Sequence, residues 1–341
     1  MVKTRYVDKN ILCEYEFKEE FIDLLGVKIN DVIPLRKVFV LFTDKGKKVL
    51  KITDSSKERV GFIDKALKII ENKYPRVLKY TRNINDEIIT LWKDKQYVLL
   101  DMVEGREATF TNPVEVELCS KAMAEMHIAS KNLIKEISEE EIKNNSGKNL
   151  IRKMEDEYYI LVQLQKLVDK YKYKNEFDDI FLKNVDNAKR DLVKTIEEIK
   201  NSQYDNMMKN RENIVLCHND LAHHNFIIDG DKVNIIDFDY CSVDMRILDI
   251  YGYTMKVIKN LAYNEEIMEL IIKSYNEVSK LEEEEIEILR KLINYPRDFI
   301  SISTDYYFKQ KMWDDEVFLN RLKNKLEIDK FRGDILIGNN K

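Results

Sequence analysis

The chain has 341 residues but only 9 glycines and 4 prolines, whereas average usage would give roughly 40 of the two together. So few turn-forming residues argue against an all-β sandwich or barrel, which needs a turn every ~8–12 residues. The glycine positions allow no G-x-G-x-x-G motif, and the one G-x-x-x-x-G pair is not followed by Lys-Ser/Thr, which excludes a P-loop. The 57 basic and 62 acidic residues leave a net charge of −5, which gives no general attraction to nucleic acid or to an anionic membrane.

Compartment and membrane association follow from the same composition. No apolar run approaches the roughly 18 residues of a membrane span, and the first residues lack an apolar signal region. The four cysteines form no C-x-x-C pair. We therefore expect a cytoplasmic protein with reduced thiols and no membrane or nucleic-acid partner.

The first third of the chain predicts a small antiparallel sheet with one helix packed on it. Helical spacing begins early, and two β-branched and aromatic runs then flank Asp44-Lys45-Gly46, which is a hairpin signal. A second helical pattern and a second hairpin follow, which gives the order β-β-α-β-β. The predicted helices are 18–25 and 55–73, and the predicted strands are 38–42, 48–52, 87–92 and 97–102.

The remainder is mostly helical. Asn112 is predicted to cap a helix that begins at Pro113, with Glu115 reaching back to the cap. Helical patterns fill 114–131, about 150–202 and 255–330. One stretch interrupts them with strand-like segments at 214–216, 226–228 and 233–236, and Asp229-Gly230-Asp231 turns the second segment back into the third.

The unusual residues are concentrated in that interruption. Residues 217–225 read Cys-His-Asn-Asp-Leu-Ala-His-His-Asn, and the hairpin then leads to Ile-Asp-Phe-Asp at 236–239. The hairpin is expected to bring Asp220, Asn225 and Asp237 to one edge. Phosphoryl transfer requires such a set, because an acid orients the attacking hydroxyl while an amide oxygen and a carboxylate hold Mg²⁺.

This ordered pair of motifs resembles the kinase-like superfamily of aminoglycoside and choline phosphotransferases. The variant here is most similar to the CotS-type bacterial spore-coat family, and three further stretches support that resemblance: Thr-Asp-Lys-Gly-Lys-Lys-Val-Leu-Lys at 43–51, Met-Val-Glu-Gly-Arg-Glu at 102–107 and Met-His-Ile-Ala-Ser-Lys at 126–131. The resemblance implies a two-lobe protein-kinase-like α+β fold. Its small antiparallel-sheet lobe would bind the nucleotide (1–101), a hinge would follow (102–104), and a large helical lobe would carry catalysis and the acceptor (105–341).

The resemblance also implies roles for individual residues. Asp220 would be the catalytic base, and Asn225 and Asp237 would bind Mg²⁺. Lys51 would hold the phosphates of ATP, and Asp249 would brace the catalytic loop by accepting backbone N–H bonds. His218 would pack beneath that loop. The hinge residues expected to contact adenine are Asp101, Met102, Val103 and Glu104.

The chain departs from the family pattern in ways that leave assignments open. No glycine-rich loop covers the phosphates, and Arg36 and Lys37 are expected to supply positive charge instead. The helix acid that would pair with Lys51 is either Glu58 or Asp64. Asp239, in place of a glycine, would approach the metal or hydrogen-bond the loop. Asn219 replaces another glycine, and asparagine tolerates positive φ better than most residues.

The expected function is ATP- and Mg²⁺-dependent phosphorylation of a small-molecule hydroxyl. A protein kinase is disfavoured because Ala222 stands where the D-x-K lysine would be, and because only nine residues separate Asp239 from Asp249. The alternative is a catalytically inactive, kinase-like binding or structural component of the spore coat. In either case the resemblance implies synthesis in the cytoplasm and deposition on the spore coat, with other coat proteins as partners.

A histidine cluster also admits a transition-metal site, and with it a metal-dependent hydrolase. Its ligands would be His218, His223 and His224 together with Asp220 or Cys217. That interpretation leaves Asn225 and the Ile-Asp-Phe-Asp stretch without a role. His223 and His224 are otherwise expected to be structural, to face solvent or to line the acceptor site.

Overall fold

The structure, a computed structural model, describes residues 18–35, 38–261 and 264–332. It divides into two compact units. The first comprises Met1–Ala108 and His223–Cys241, and the second comprises Thr109–Ala222 and Ser242–Lys341. The hairpin of the predicted catalytic segment is therefore grouped with the N-terminal sheet. Arg36 and Lys37 lie outside the described residues, and the limits of the two lobes and the hinge stay predictions.

The first unit contains a six-stranded sheet with strand order β1-β2-β3-β6-β4, and β5 also pairs with β6. Every pairing in this sheet is antiparallel. The strands are β1 Ile29–Leu35, β2 Val38–Thr43, β3 Gly46–Ile52, β4 Tyr80–Thr81, β5 Ile89–Trp92 and β6 Lys95–Asp101, and the helices are α1 Glu19–Leu25 and α2 Lys57–Glu71. The four predicted strands and both predicted helices are present in the predicted order, and the structure adds β1 between α1 and β2 and β4 between α2 and β5.

Strand β1 was not predicted from the sequence. Its residues alternate between exposed and half-buried, and it contains Pro34. Proline has no N–H to donate to a ladder and is tolerated at the edge of a sheet, and β1 is the edge strand here. Strand prediction from sequence relies on runs of apolar and β-branched residues. The polar residues and the proline of β1 interrupt such a run, so the strand is not predicted.

The two faces of this sheet bury different residues. On one face, Phe39, Leu41, Leu50 and neighbouring strand residues pack with Phe21 of α1. On the other face, the α2 residue Val60 packs with Val98 and Leu100 of β6, together with Ile89. Side chains alternate along a strand, so Lys51 points to the same face as Val49, which packs against the α2 cluster.

The first unit also holds a second, three-stranded sheet with the order β10-β9-β7. Its strands are β7 Arg106–Glu107, β9 Phe226–Asp229 and β10 Lys232–Ile235. The Tyr74 hydroxyl donates to the carbonyl of Val233 over 2.7 Å, and Ile235 N–H donates to the carbonyl of Arg76 over 3.1 Å. These bonds fasten the predicted catalytic hairpin to the segment that follows α2.

The second unit is mostly helical, as predicted. It adds one unpredicted strand, β11 Ser242–Met245, which pairs antiparallel with β8 Ile214–Cys217. Its helices are α3 Pro113–Glu136, α4 Glu139–Asn145, α5 Leu150–Asp169, α6 Glu176–Lys200, α7 Tyr204–Lys209, α8 Arg246–Ile258, α9 Glu265–Asn276, α10 Glu283–Leu292, α11 Arg297–Tyr307 and α12 Asp315–Asp329. The chain therefore has an antiparallel N-terminal sheet followed by a mostly helical region.

Two helix boundaries refine the predictions. Asn112 caps α3 by accepting from Val114 N–H, and Pro113 is its first residue. Glu115 reaches back as predicted, accepting from the Asn112 side-chain amide (2.9 Å) and also from Thr109 N–H (2.7 Å). The continuous helical pattern over 150–202 proves to be two helices. Asn175 begins the second with a reciprocal capping box, which a purely apolar periodicity does not reveal.

Within the part of the chain that the structure describes, no helix is both long enough and apolar enough to cross a membrane.

Candidate active site

Asp249, on α8, is the buried hub of the loop that carries Asp220. Its two carboxylate oxygens accept from the backbone N–H groups of His218 (2.7 Å) and Asn219 (2.8 Å). His127 Nε2 lies 3.1 Å from the same carboxylate, and His127 Nδ1 lies 2.9 Å from the Tyr275 hydroxyl. Burial alone would raise the pKa of Asp249, but these hydrogen bonds and the nearby histidines lower it below its usual value. The backbone bonds implied for Asp249 are thus present, while His127 was missed because it lies on a distant helix.

The start of the loop takes a conformation that suits asparagine. Asn219 has φ of 64°, which is the left-handed region, and its side-chain amide donates to Ser242 Oγ over 2.8 Å. His218 is buried, and its Nδ1 accepts from Asp220 N–H over 3.2 Å. Asparagine adopts this left-handed conformation more readily than most residues, so it suits a position where the family pattern has glycine.

Asp220 is ion-paired with a lysine that the sequence pattern did not reveal. Lys256 Nζ, from the last turn of α8, lies 2.5 Å from Asp220 Oδ1. Burial lowers the pKa of this lysine below its usual value, although Asp220 acts in the opposite direction. The carboxylate of the predicted catalytic base is thus paired with a lysine that lies 36 residues further along the chain.

In the first unit, the β9–β10 hairpin places Asn225 and Asp237 at its open end. Asn225 directly precedes β9, and Asp237 lies two residues after β10. Ile236 N–H donates to the carbonyl of Asn225 over 3.0 Å, which holds the two chain segments together. Asn225 is only 2% exposed, whereas the Asp237 side chain is 37% exposed and its backbone has φ of 66°. This is the left-handed region, which aspartate adopts more readily than most non-glycine residues, so Asp237 suits the turn that presents its side chain.

Lys51 contacts both aspartates that follow the hairpin. Its Nζ lies 2.7 Å from Asp237 Oδ1 and 2.7 Å from Asp239 Oδ2. Burial lowers the pKa of Lys51, but the two carboxylates outweigh burial and raise it above its usual value. The lysine is therefore held as a cation where the two acids meet.

Neither acid considered as the helix partner of Lys51 is seen to take that role. Asp64 pairs instead with Lys68 (2.8 Å) and Arg82 (3.0 Å). Glu58 lies in the exposed first turn of α2, where hydrogen bonds with its own backbone and with Ser56 lower its pKa. Lys51 pairs instead with Asp237 and Asp239, which lie in the turn after β10.

Helix α2 reaches this turn through an arginine. Arg59 donates to the backbone carbonyls of Asp239 (3.1 Å) and Cys241. Arginine presents several donors in a rigid fork, so a single side chain can hold two carbonyls of one turn. Arg59 thereby fixes the segment that presents Asp237 and Asp239 to Lys51.

The predicted hinge residues line a cavity of about 300 Å³ in the first unit. Met102 N–H already donates to the carbonyl of Lys47 over 3.0 Å. The two acidic residues of the predicted hinge form ion pairs: Asp101 with Lys48 (2.6 Å) and Glu104 with Lys47 (2.7 Å). The lining residues are Pro75, Val77, Lys79, Asp101, Met102, Val103, Glu104, Asp229 and Asn234.

Gly105 closes this segment at a position that only glycine fits. Its φ is 135°, and a Cβ there would lie 2.5 Å from the carbonyl oxygen of Ile228. The close approach lets the chain pass directly into β7, which pairs with β9. The close packing of the predicted hinge segment against the predicted catalytic hairpin therefore depends on Gly105.

The histidines do not assemble the alternative metal site. His218 is buried, His223 is exposed, and the rings of His223 and His224 meet edge to face at 5.2 Å. Across residues 18–35, 38–261 and 264–332, no group of three His, Cys, Asp or Glu side chains is arranged to hold a metal ion. The oxygen donors Asn225 and Asp237 do fit Mg²⁺, which prefers one or two protein oxygens and keeps its other positions for water and phosphate.

More than half of the chain matches the sequence model of a known family. The model of the choline/ethanolamine kinase family matches residues 108–304. The chain belongs to the choline/ethanolamine kinase family. It is also 24% identical to spore coat protein S of Bacillus subtilis over 338 residues, which cover 96% of this chain and 92% of that protein.

Solved structures agree on the fold of this family member. An aminoglycoside phosphotransferase from Alicyclobacillus acidocaldarius superposes with a TM-score of 0.77 at 15% identity, covering 98% of this chain and 96% of that one. A spectinomycin phosphotransferase in complex with ADP and spectinomycin superposes with a TM-score of 0.64 at 13% identity, covering 91% and 96%. The predicted fold class and the predicted homology to spore-coat proteins are both confirmed.

Proposed function

We propose that the protein transfers the γ-phosphoryl group of ATP to the hydroxyl of a small molecule in a Mg²⁺-dependent reaction. The observation that carries this proposal is the meeting of Lys51 with Asp237 at the end of the hairpin that begins with Asn225. A phosphate-binding lysine beside two oxygen ligands for Mg²⁺ is the set that phosphoryl transfer needs. The ADP-bound spectinomycin phosphotransferase of the same fold supports ATP as the donor.

Each residue then has a role in the transfer. Asp220 accepts the proton of the acceptor hydroxyl while the hydroxyl oxygen forms a bond to the γ-phosphorus. The bond from that phosphorus to the leaving ADP oxygen breaks. Lys51 leaves its two aspartates to bind the nucleotide phosphates, which frees Asp237 to join Asn225 as a metal ligand. Bound Mg²⁺ supplies charge neutralisation of the phosphates. The backbone around Asp101–Glu104 receives the adenine ring.

Nucleotide binding tests this proposal directly. ATP should raise the melting temperature of the wild-type protein, and Mg²⁺ should increase that shift. Lys51→Met and Asp237→Asn should lose most of it, whereas Asp231→Asn, which removes an exposed acid from the hairpin turn, should keep it. Asp220→Ala should keep the shift and lose ATP consumption. If Mg²⁺ and ATP leave the wild-type melting temperature unchanged, the proposal is wrong.

The second candidate is a kinase-like structural component of the spore coat without turnover. The relative named spore coat protein S favours it, and it shares with the first candidate a deposition on the coat alongside other coat proteins. It predicts nucleotide binding without ATP consumption across a panel of hydroxylated metabolites. It also predicts that a fluorescent fusion carrying Asp220→Ala assembles on spores as the wild type does.

A further inference from the structure

Two adjoining cavities flank the loop that carries Asp220, both within the second unit. The loop-side cavity, of about 320 Å³, is lined by Asn219 and Leu221, the two neighbours of Asp220. The helix-side cavity, of about 210 Å³, is lined by Lys256, the ion-pair partner of Asp220. Residues shared by both cavities are Tyr251, Gly252, Tyr295 and Arg297. An acceptor whose hydroxyl is to reach Asp220 has these two spaces available.

Three cations line the loop-side cavity. Lys148 and Lys153 come from the start of α5, and Arg297 comes from the start of α11. None of the three is in an ion pair with any residue that the structure describes. Each stands at a helix N-terminus, where the helix dipole already favours negative charge and disfavours a cation. Burial lowers the pKa of Lys153, and the charges of Arg297 and Lys148 lower it further, although Glu157 opposes them.

The acids that line the cavities do not neutralise these cations. Asp249 is bound by His127 and by two backbone N–H groups. Asp298 is 3.0 Å from both Lys259 and Lys325, and Asp329 is 3.1 Å from Arg332. Burial raises the pKa of Asp244 to about 6, so its negative charge is costly near neutral pH. Glu157 lines neither cavity but acts on Lys153 and Arg297; it accepts from the Tyr295 hydroxyl, and burial raises its pKa above the usual value. The residues that line the cavities therefore carry an excess of positive charge.

A buried hydroxyl in the same place also lacks a partner. Tyr251 lines both cavities and is only 5% exposed. Its hydroxyl makes no hydrogen bond with any residue in the described ranges. Buried polar groups are nearly always satisfied, so an unpaired donor beside unpaired cations indicates a missing acceptor atom.

We propose that these cavities bind an anionic group of the acceptor, a phosphate or a carboxylate, and that the protein phosphorylates an alcohol carrying such a group. Lys153 and Arg297 pair with the anion, Lys148 adds charge at the rim, and the acceptor hydroxyl lies toward Asp220. This substrate class rests on the proposed phosphotransferase function. The binding of the anion does not, and it can be measured without turnover.

Anion binding is tested with inorganic phosphate and malonate as probes, by thermal shift and titration calorimetry on the full chain. Lys153→Met and Arg297→Met should each weaken binding about tenfold, because a hydrogen-bonded charge contact is lost. Arg152→Met is the matched control, since it removes an exposed cation next to Lys153 that does not line the cavity, and it should bind as the wild type does. A preference for phosphate over malonate, or the reverse, identifies the anionic group.

Turnover is tested with alcohols that differ in charge: glycerol, glycerol 3-phosphate, glycerate and ethanolamine. The anionic alcohols should support at least tenfold higher kcat/KM than glycerol, and Lys153→Met should remove that advantage. Probe binding that depends on Lys153 and Arg297 without any ATP consumption would support the anion site and count against the phosphotransferase. Probe binding that is absent, or equal in all variants, would overturn the anion site, and so would preferential phosphorylation of ethanolamine.

Discussion

Lys256 forms an ion pair with Asp220 over 2.5 Å, from a helix that begins 26 residues after Asp220. Protein kinases have a lysine two residues after the catalytic aspartate, and this chain has Ala222 at that position. The fold supplies a cation to the same carboxylate from elsewhere. In the proposed phosphotransferase, Lys256 would therefore be a positioning residue that holds one oxygen of Asp220.

We expect Lys256→Met to lower kcat about 10- to 100-fold, because a misplaced base loses the geometry of proton transfer. The KM for ATP should stay unchanged, since neither residue belongs to the expected nucleotide-binding set. Lys256→Arg should recover part of the activity by restoring the charge contact. Steady-state ADP release measures both parameters. Equal losses in the Met and Arg variants would contradict the positioning role.

The two contacts of Lys51 lead to a prediction about Mg²⁺. Lys51→Met leaves Asp237 and Asp239 facing each other without the cation that both touch. Both carboxylates are about one-third exposed, so the loss should be modest, about 1 kcal/mol or a fall of about 2–4 °C in melting temperature. Because a divalent ion replaces the missing cation, Mg²⁺ should raise the melting temperature of this variant more than that of the wild type.

Lys48→Met is the control for this prediction. Lys48 pairs with Asp101 on the same strand as Lys51, and a single carboxylate partner offers Mg²⁺ a poorer site. Thermal melts with EDTA and with millimolar Mg²⁺ compare the three proteins. A similar Mg²⁺ response in Lys48→Met and Lys51→Met would show that the ion does not act at Asp237 and Asp239.

Local patterns sufficed for much of the fold and for the motif residues. The β9–β10 hairpin was predicted because Asp229-Gly230-Asp231 marks its turn, and that hairpin places Asn225 close to Asp237. The contacts of Asp249 with the loop backbone were implied by family resemblance. Strand β11 was missed because it pairs with β8 across 24 intervening residues, a register that no local pattern encodes.

Contacts between distant charged residues were the harder part. Lys256 and His127 are ordinary helical residues in the sequence, and only tertiary packing brings them to Asp220 and Asp249. The acidic run 281–287 is typical of a solvent-exposed helix start, yet Glu285 is buried against Arg246. Composition predicts the average environment of such a run, whereas helix periodicity turns one member of it inward.

Asp244 leads to a prediction about pH. Burial raises its pKa from 3.8 to about 6 in the folded protein. The folded state therefore holds a proton more tightly than the unfolded state, and the associated stability is complete below pH 3.8 and lost as the pH rises through 6. Asp244→Asn removes this cost, so at pH 8 it should be more stable than the wild type by about 3 kcal/mol.

Melting temperatures measured across the pH range check this result. The advantage of Asp244→Asn should shrink below pH 6 and vanish near pH 4. The backbone N–H of Met245 keeps its acceptor, because the asparagine oxygen replaces Asp244 Oδ1. Asp156→Asn, at an exposed position in the middle of α5, should show no such dependence. A pH-independent gain at Asp244 would contradict the explanation.

Glu285 provides the last prediction, because its neighbour Glu284 is a matched control in the same acidic run. Glu285 is 0% exposed and accepts from Arg246 Nε (2.7 Å) and Nη2 (2.6 Å), whereas Glu284 is exposed. Glu285→Ala leaves a buried guanidinium unpaired and should cost about 3–5 kcal/mol of unfolding free energy, against about 0.5 for Glu284→Ala. Arg246→Met combined with Glu285→Leu should recover much of the loss, since an apolar pair needs no counter-charge. Urea denaturation compares the wild type with these three variants, and similar costs for the two alanine variants would show that the buried pair contributes nothing.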